Sequence, residues 1–286
     1  MKNSELITNP DGSIYHLALH PGELAQTIIT VGDQDRVAEV SKYFDSIELE
    51  RHNREFVTHT GTLAGERLSV ISTGIGTDNI DIVFNEIHCL FNKDLKTGET
   101  LEHRALNFIR LGTSGTVRND IEIDSILASE AALGFDGLLH FYDNNLSEVE
   151  FDVLLEQKPE LGQLPRPYFV KGDPKLLSHF KEVYDHRGVT ITAPGFYAPQ
   201  GRSVNAETKV KNFVNTLGQM SINGLPITNL EMETAGIYGL SELFGHKAIS
   251  ISAILANRIS GDFSSHPSKV VERMIKQALE KIIELH

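Results

Sequence analysis

A chain of 286 residues, 40% hydrophobic and 23% charged, is long enough to bury a sizeable core, and its composition excludes a disordered or fibrous protein. Its 39 acidic residues outnumber 26 basic ones, a net charge of −13 that excludes a surface built to grip nucleic-acid phosphates or an anionic membrane. The single cysteine, Cys89, excludes an intrachain disulfide, and the absence of a signal-peptide core or a bilayer-length apolar run sets the expectation of a soluble, cytoplasmic protein.

TIITVGD (27–33) reads as a buried strand and DRVAEVSKYF after it as a helix. FVTHTGTL and RLSVISTG read as a hairpin joined by AGE, and NIDIVFNEIHCLF (79–91) as a helix in which Cys89 is a buried, inert thiol. The polar FNKDLKTGETLEHRA (91–105) reads as an insertion at the rim. ALNFIRLGTSG (105–115) and DSILASEAALG (124–134) are strands, and NNLSEVEFDVLLEQKPELGQLPRPYF (144–169), with three prolines, is a second rim insertion. PKLLSHFKEVYDHRG reads as a helix with Pro174 near its first position, and VTITAPGFY (189–197) as a strand. ITNLEMETAGIYGLSELFG (227–245) passes from strand to helix, and KAISISAILANR (247–258) is again a strand. The closing segment is a helix whose Val270, Met274, Ala278 and Ile282 form one stripe. The alternation predicts an α/β fold, one domain over residues 1–286 with a central mixed β-sheet flanked by helices. Ligands in such folds gather at the carboxyl ends of the strands.

The chemistry-bearing motifs fall at those ends. RLGTSG (110–115) reads as a glycine turn aiming backbone N–H groups, Thr113, Ser114 and Arg110 at an anion. VGDQDR adds Gly32 and Arg36, and HNREF adds Arg54; three arginines and two glycine turns suit a phosphate dianion. In NLEMET, Glu231 and Glu233 bracket Met232: one carboxylate can cap the next helix, and the other can accept the paired hydroxyls of a ribose. FYAPQGR (196–202) sets the Gln200 amide two positions from the Arg202 fork, beside Phe196 and Tyr197. It reads either as a surface turn or as an edge for a planar ring with carbonyl, N–H and carbonyl in a row, as in uracil.

Other chemistries lack their residues. Asn79 stands where a dinucleotide fingerprint needs its third glycine, and neither a P-loop nor a GxSxG elbow is present. His16 and His20 are four apart in HLALH, but its alternation and Pro21 argue against the helix that would let them share a metal. No cofactor and no metal are expected.

GDQDR, HNREF, RLGTSG, FYAPQGR, NLEMET and ANR, in that order, resemble the nucleoside phosphorylase family, and in particular its uridine-acting branch. The family's signature region is recognisable in STGIGTDNIDIVFNEI, where Asp78, Asn79 and Asp81 replace small or proline residues. The resemblance implies phosphate held by Gly32, Arg36, Arg110 and Thr113, with Arg54 reaching in from a neighbouring subunit. It implies ribose bound by Glu233 and Met232, with His16 of the neighbour closing over the 5′ end. Tyr15 and Phe196 would flank the base or sugar, Ser114 and Gly115 would line the base site, and Gln200 and Arg202 would read uracil. Arg258 would order the Gln200–Arg202 loop or donate toward the base, and Asn257 replaces the aspartate by which purine-acting relatives protonate the purine. The implied partners are a nucleoside, phosphate as co-substrate, and further copies of the chain in a homodimer or higher homo-oligomer. Some relatives hold a monovalent cation at that interface through the residue matching Glu55. Purine phosphorolysis, hydrolysis without phosphate and silent nucleoside binding stay open beside uridine phosphorolysis.

Overall fold

The apolar runs of the sequence become the strands and buried helix faces of the computed structural model, which describes residues 5–144 and 149–285. In chain order these are β1 (Thr27–Val31), α1 (Gln34–Ser41), β2 (Ser46–Asn53), β3 (Phe56–Leu63), β4 (Glu66–Ser72), α2 (Thr77–Asn92), β5 (Asn107–Thr116) and β6 (Ile126–Gly134). They continue with α3 (Val149–Gln157), β7 (Tyr168–Lys171), α4 (Pro174–His179), β8 (His186–Thr192), α5 (Phe213–Gly218), β9 (Ser221–Ile222), β10 (Leu225–Glu231), α6 (Thr234–Leu243), β11 (Lys247–Asn257) and α7 (Pro267–Ile282).

The strands form one mixed sheet in the order β2-β3-β4-β1-β5-β11-β6-β8-β10-β9, with β7 beside β6. β10 also pairs with β5, Asn229 opposite Thr116 and Leu230 opposite Gly115, so β5, β11, β6, β8 and β10 close into a ring. Both faces are covered. Val37 and Val40 of α1, Leu176 and Leu177 of α4 and the Val270–Met274–Ala278–Ile282 stripe of α7 pack on one side. Ile80, Val83, Phe84 and Ile87 of α2 and Ala235, Ile237 and Leu240 of α6 pack on the other.

Four expectations change. RLGTSG is not a turn: β5 runs through it to Thr116 because β11 pairs with it along its length, with a bulge between Ile254 and Ala256. The helix opened by Pro174 is short: Asp173 caps it, accepting from the N–H groups of Lys175 and Leu176 at 2.9 Å, but it stops at His179. Strand β8 starts at His186 and ends at Thr192, so PGFY lies in a loop. Of the 144–169 insertion, residues 145–148 lie outside the described residues; the remainder holds α3 and leads into β7, a member of the sheet. The 91–105 excursion remains an insertion and folds against the end of the sheet away from the carboxyl ends of β5 and β11. His103 Nε2 meets the Phe244 carbonyl at 2.9 Å there, and Asn92 Oδ1 accepts from the Arg104 N–H.

Candidate active site

The carboxyl ends of β1, β5, β10 and β11 surround a cavity of about 760 Å3. Gly32 follows β1 directly, and Asp33 Oδ1 accepts from the Asp35 N–H at 3.0 Å to start α1, which puts Arg36 in the first turn facing the cavity. Arg36 Nε is buried without a partner, and burial, with the nearby charge of Arg110, lowers the Arg36 pKa. Thr113 lines the same wall and its hydroxyl makes no bond among the described residues. Gly32, Arg36 and Thr113 therefore line one wall of the cavity, a set of donor-bearing residues that suits an anion.

Arg110 lies deeper, nearly fully buried. Its Nη2 donates to Glu233 Oε2 at 2.6 Å and stands 3.2 Å from Glu231 Oε2; its Nη1 donates to Ser252 Oγ at 3.2 Å and Ser250 Oγ at 3.4 Å. Burial opposes the charge, but the two carboxylates outweigh it and raise the Arg110 pKa. Gly112 makes this placement feasible, since a Cβ there would lie 1.9 Å from Arg110 Nη1.

The two glutamates divide their work. Glu231 Oε2 accepts from the N–H groups of Glu233 and Thr234 at 2.9 Å and from Thr234 Oγ1 at 2.8 Å, and its Oε1 accepts from Thr192 Oγ1 at 2.6 Å. It is the cap of α6. Among the described residues Glu233 takes only the Gly76 N–H at 2.8 Å on Oε1 and Arg110 on Oε2, which leaves acceptor capacity on both oxygens toward the cavity. Burial raises the Glu233 pKa; the charge of Arg110 works against that rise and Glu231 adds to it.

At the other end, FYAPQGR makes a 3-10 turn over Ala198–Gln200, closed by Gly201 at φ 74°. Gln200 is buried, and its Oε1 accepts from Arg202 Nη1 at 2.8 Å. The Arg202 guanidinium lies 3.7 Å from the Phe196 ring centroid, and Arg258 Nη2 donates to the Gln200 carbonyl at 3.0 Å. Arg258 packs on Gly115, where a Cβ would come within 3.1 Å of its side chain. Burial, with the charge of Arg202, pushes Arg258 down to about 10, and its Nη1 has no partner among the described residues.

A family model described as the phosphorylase superfamily matches residues 26–285. The chain belongs to the phosphorylase superfamily. It is 28% identical to a uridine phosphorylase of Thermococcus kodakarensis, over 96% of this chain and 88% of that one. It is 26% identical to a purine nucleoside phosphorylase (DeoD-type) of Streptococcus suis, over 94% of this chain and 98% of that one. Among solved structures, a Trypanosoma brucei nucleoside phosphorylase described as showing uridine phosphorylase activity superposes with a TM-score of 0.90 at 29% identity, covering 98% of this chain and 99% of that one. This phosphorylase is thus an α/β enzyme of the pentosyltransferase type.

Of the site residues expected for such a phosphorylase, Gly32, Arg36, Arg110, Thr113, Ser114, Gly115, Phe196, Gln200, Arg202, Met232 and Glu233 share the cavity. Ser114 contributes its backbone side of the wall, because its hydroxyl donates to the Leu230 carbonyl at 2.9 Å. Tyr15, His16 and Arg54 do not line the cavity of their own chain. They form an outward group, with Arg54 at the β2–β3 turn lying 5.4 Å from the Tyr15 ring centroid and Tyr15 and His16 edge to face at 4.7 Å. Asn257 is also outside: its Oδ1 accepts from Ile259 and Ser260 and its Nδ2 donates to the Arg118 carbonyl, so it shapes the turn after β11.

The structure adds Glu55, Ile75, Asn79 and Phe263 to the cavity wall. Asn79 carried a sequence signal, as a departure from the signature region. Phe263 carried none, because an aromatic in the polar stretch SGDFSSHP has no period to betray it. The other departures also have roles: Asp81 accepts from the Tyr142 hydroxyl and, at 3.2 Å, from Asn85 Nδ2, fastening residues 138–142 to α2. Asp78 occupies the first turn of α2, where a negative charge is favoured.

Proposed function

We propose that this phosphorylase cleaves uridine with inorganic phosphate to give uracil and ribose 1-phosphate. The bond from Arg202 to Gln200 Oε1 carries the reading. Arginine has only donors, so Oε1 must be the amide atom facing Arg202 and Nε2 must point away. The edge offered to a ligand then runs donor, acceptor, donor: Gln200 Nε2, the second lone pair of Oε1, and the remaining N–H groups of Arg202. Uracil presents the complement in O2, N3–H and O4. Cytosine would set its unprotonated N3 against Oε1 and its amino group against Arg202, two repulsions in a buried site.

The other groups fall into order around that edge. Gly32, Arg36 and Thr113 take phosphate, with Arg54 supplied by a second copy. Glu233 takes the ribose hydroxyls, and Met232 packs on the sugar. A phosphate oxygen attacks C1′ from the face opposite the base, the C1′–O bond forms as C1′–N1 breaks, and the bonding pair leaves on uracil. Positive charge on the sugar is met by the phosphate dianion and Glu233; negative charge on the base is met by Gln200 and Arg202. Arg110, between phosphate and Glu233, links the two ends. Arg258, bonded to the Gln200 carbonyl, holds the recognition loop. The second copy brings His16 and Tyr15 as well as Arg54, so the active unit is a homodimer or a higher homo-oligomer. Glu55, at the wall without an ion-pair partner among the described residues, suits the oxygen-only preference of a monovalent cation shared across that interface.

The similarity to the Streptococcus suis protein, whose name specifies purine nucleosides, keeps a purine substrate as the second reading. One substrate panel separates them. Uridine, inosine and methylthioadenosine are incubated with and without phosphate and base release is followed; phosphate-dependent uracil release is expected. Base release from inosine alone would replace this reading with the second, and release without phosphate would make the enzyme a hydrolase.

A further inference from the structure

Glu86, on α2, belongs to no part of the reaction described above, yet its carboxylate is fully engaged. Its Oε1 accepts from His16 Nδ1 at 2.6 Å and from the His16 N–H at 3.0 Å. Its Oε2 accepts from the Leu17 N–H at 2.9 Å and shares the His16 N–H at 3.1 Å. From the opposite side Asn53 Nδ2 donates to the His16 carbonyl at 2.7 Å. The turn over residues 15–17, which has no regular secondary structure of its own, is thus pinned between α2 and the end of β2.

Two consequences follow from elementary chemistry. A carboxylate can only accept from the imidazole, so His16 carries a proton on Nδ1, and in the neutral ring Nε2 is then the acceptor, without a partner among the described residues. The pin also keeps His16 from its own cavity. The amino end of α2 meets Glu233 through the Gly76 N–H, and Glu86 lies ten residues further on, about 15 Å along the helix axis.

We propose that Glu86 is a positioning residue that fixes the tautomer and direction of His16, so that Nε2 accepts a hydrogen bond from the 5′-hydroxyl of a nucleoside held in the second copy's cavity. This rests on the nucleoside reading above, and it makes α2 the common support of one chain's ribose carboxylate and of the next chain's 5′ contact.

The test compares uridine with 5′-deoxyuridine, which offers His16 nothing to bind, for the unchanged enzyme, Glu86→Gln, His16→Ala and the double variant. Glu86→Gln keeps the size but turns an amide N–H toward the backbone donors. It is expected to shrink the preference in kcat/KM for uridine over 5′-deoxyuridine by ~10-fold, mainly through KM, and to add nothing in the His16→Ala background. Equal losses on both substrates, losses that add to those of His16→Ala, or no loss at all would overturn the proposal. A second readout does not need turnover: 15N-labelled histidine should report His16 with its proton on Nδ1, and Glu86→Gln should remove that signature. Its survival in Glu86→Gln overturns the proposed hold even if the activity changes. If the unchanged enzyme releases no uracil, the functional reading fails, and with it the 5′ role of His16, while the labelled-histidine result still decides whether Glu86 sets the ring.

Discussion

Gln200 and Arg202 each hold the other's orientation, with Gln200 buried and Arg202 half-buried. A uracil carbonyl left without its donor in a dry site forfeits about 1–3 kcal/mol, so Gln200→Ala or Arg202→Ala should lower kcat/KM for uridine by about 10- to 100-fold. Arg202→Ala should also relax the preference for uracil over cytosine, because the Gln200 amide can then rotate. Steady-state kinetics on uridine and cytidine check both, with circular dichroism to show an intact fold. Which residues gather at the cavity was largely legible in the sequence. Residue types with a unique donor pattern, such as arginine, glutamine and glutamate, announce their chemistry wherever they stand. Which of two such residues acts was not legible: only the bonds of Glu231 to the start of α6 separate the helix cap from Glu233. Asn257 was misleading for the same reason, since its amide is absorbed by a turn that the sequence does not reveal.

Among the elements, β5 brings Arg110, Thr113, Ser114 and Gly115 to the cavity as a strand where a turn was expected. Gly112 leaves room for the guanidinium of Arg110, two residues earlier on the same strand. Gly112→Ala should push that guanidinium off Glu233, and kcat/KM should fall by about 100-fold or more while stability drops by only about 1–3 kcal/mol. Kinetics set against urea unfolding separates the two effects. At the opposite end of the sheet, His246 Nδ1 accepts from the Leu106 N–H, so its Nε2 donates to His88 Nδ1 at 3.1 Å. Burial, then the neighbouring His88 and His103, holds His246 down to about 4 from the ordinary 6.5, and burial lowers His88 as well. Between those values the unfolded chain binds more protons than the folded one. Stability should therefore be fully present above about pH 6.5 and be lost progressively toward pH 4. Urea midpoints at pH 7, 5.5 and 4.5 should follow that fall, and His246→Gln should flatten it. The elements most easily read were those buried on one face or both, such as β1 and α7. β2 escaped because its alternation is confined to Ile47 and Leu49 before the strand turns polar, and α4 was overextended because Phe180 and Val183 continue an apolar pattern after the helix has ended.

In the molecule as a whole, closure of β5, β11, β6, β8 and β10 into a ring brings the arginine-bearing strand ends and the FYAPQGR loop to one mouth. Pairing between β10 and β5 covers two residue pairs, too local a contact for any periodicity to announce. Tyr15, His16 and Arg54 lie outside the mouth of their own chain, and the proposed function has a second copy bring them to it. Coexpression of Arg54→Ala with Arg36→Ala tests whether a second copy completes it. Each variant alone should be poorly active. Random pairing in a two-fold dimer should restore roughly a quarter of the sites, because the mixed dimer joins an intact cavity to an intact Arg54. No recovery would mean that Arg54 serves no neighbouring site.

Coupling of a phosphate site to a uracil-reading edge stands or falls on uracil release from uridine measured as a function of phosphate concentration. Release should saturate with phosphate and vanish without it, with ribose 1-phosphate formed in equal amount. Uridine left intact at every phosphate concentration, or uracil released at a rate independent of phosphate, would contradict it.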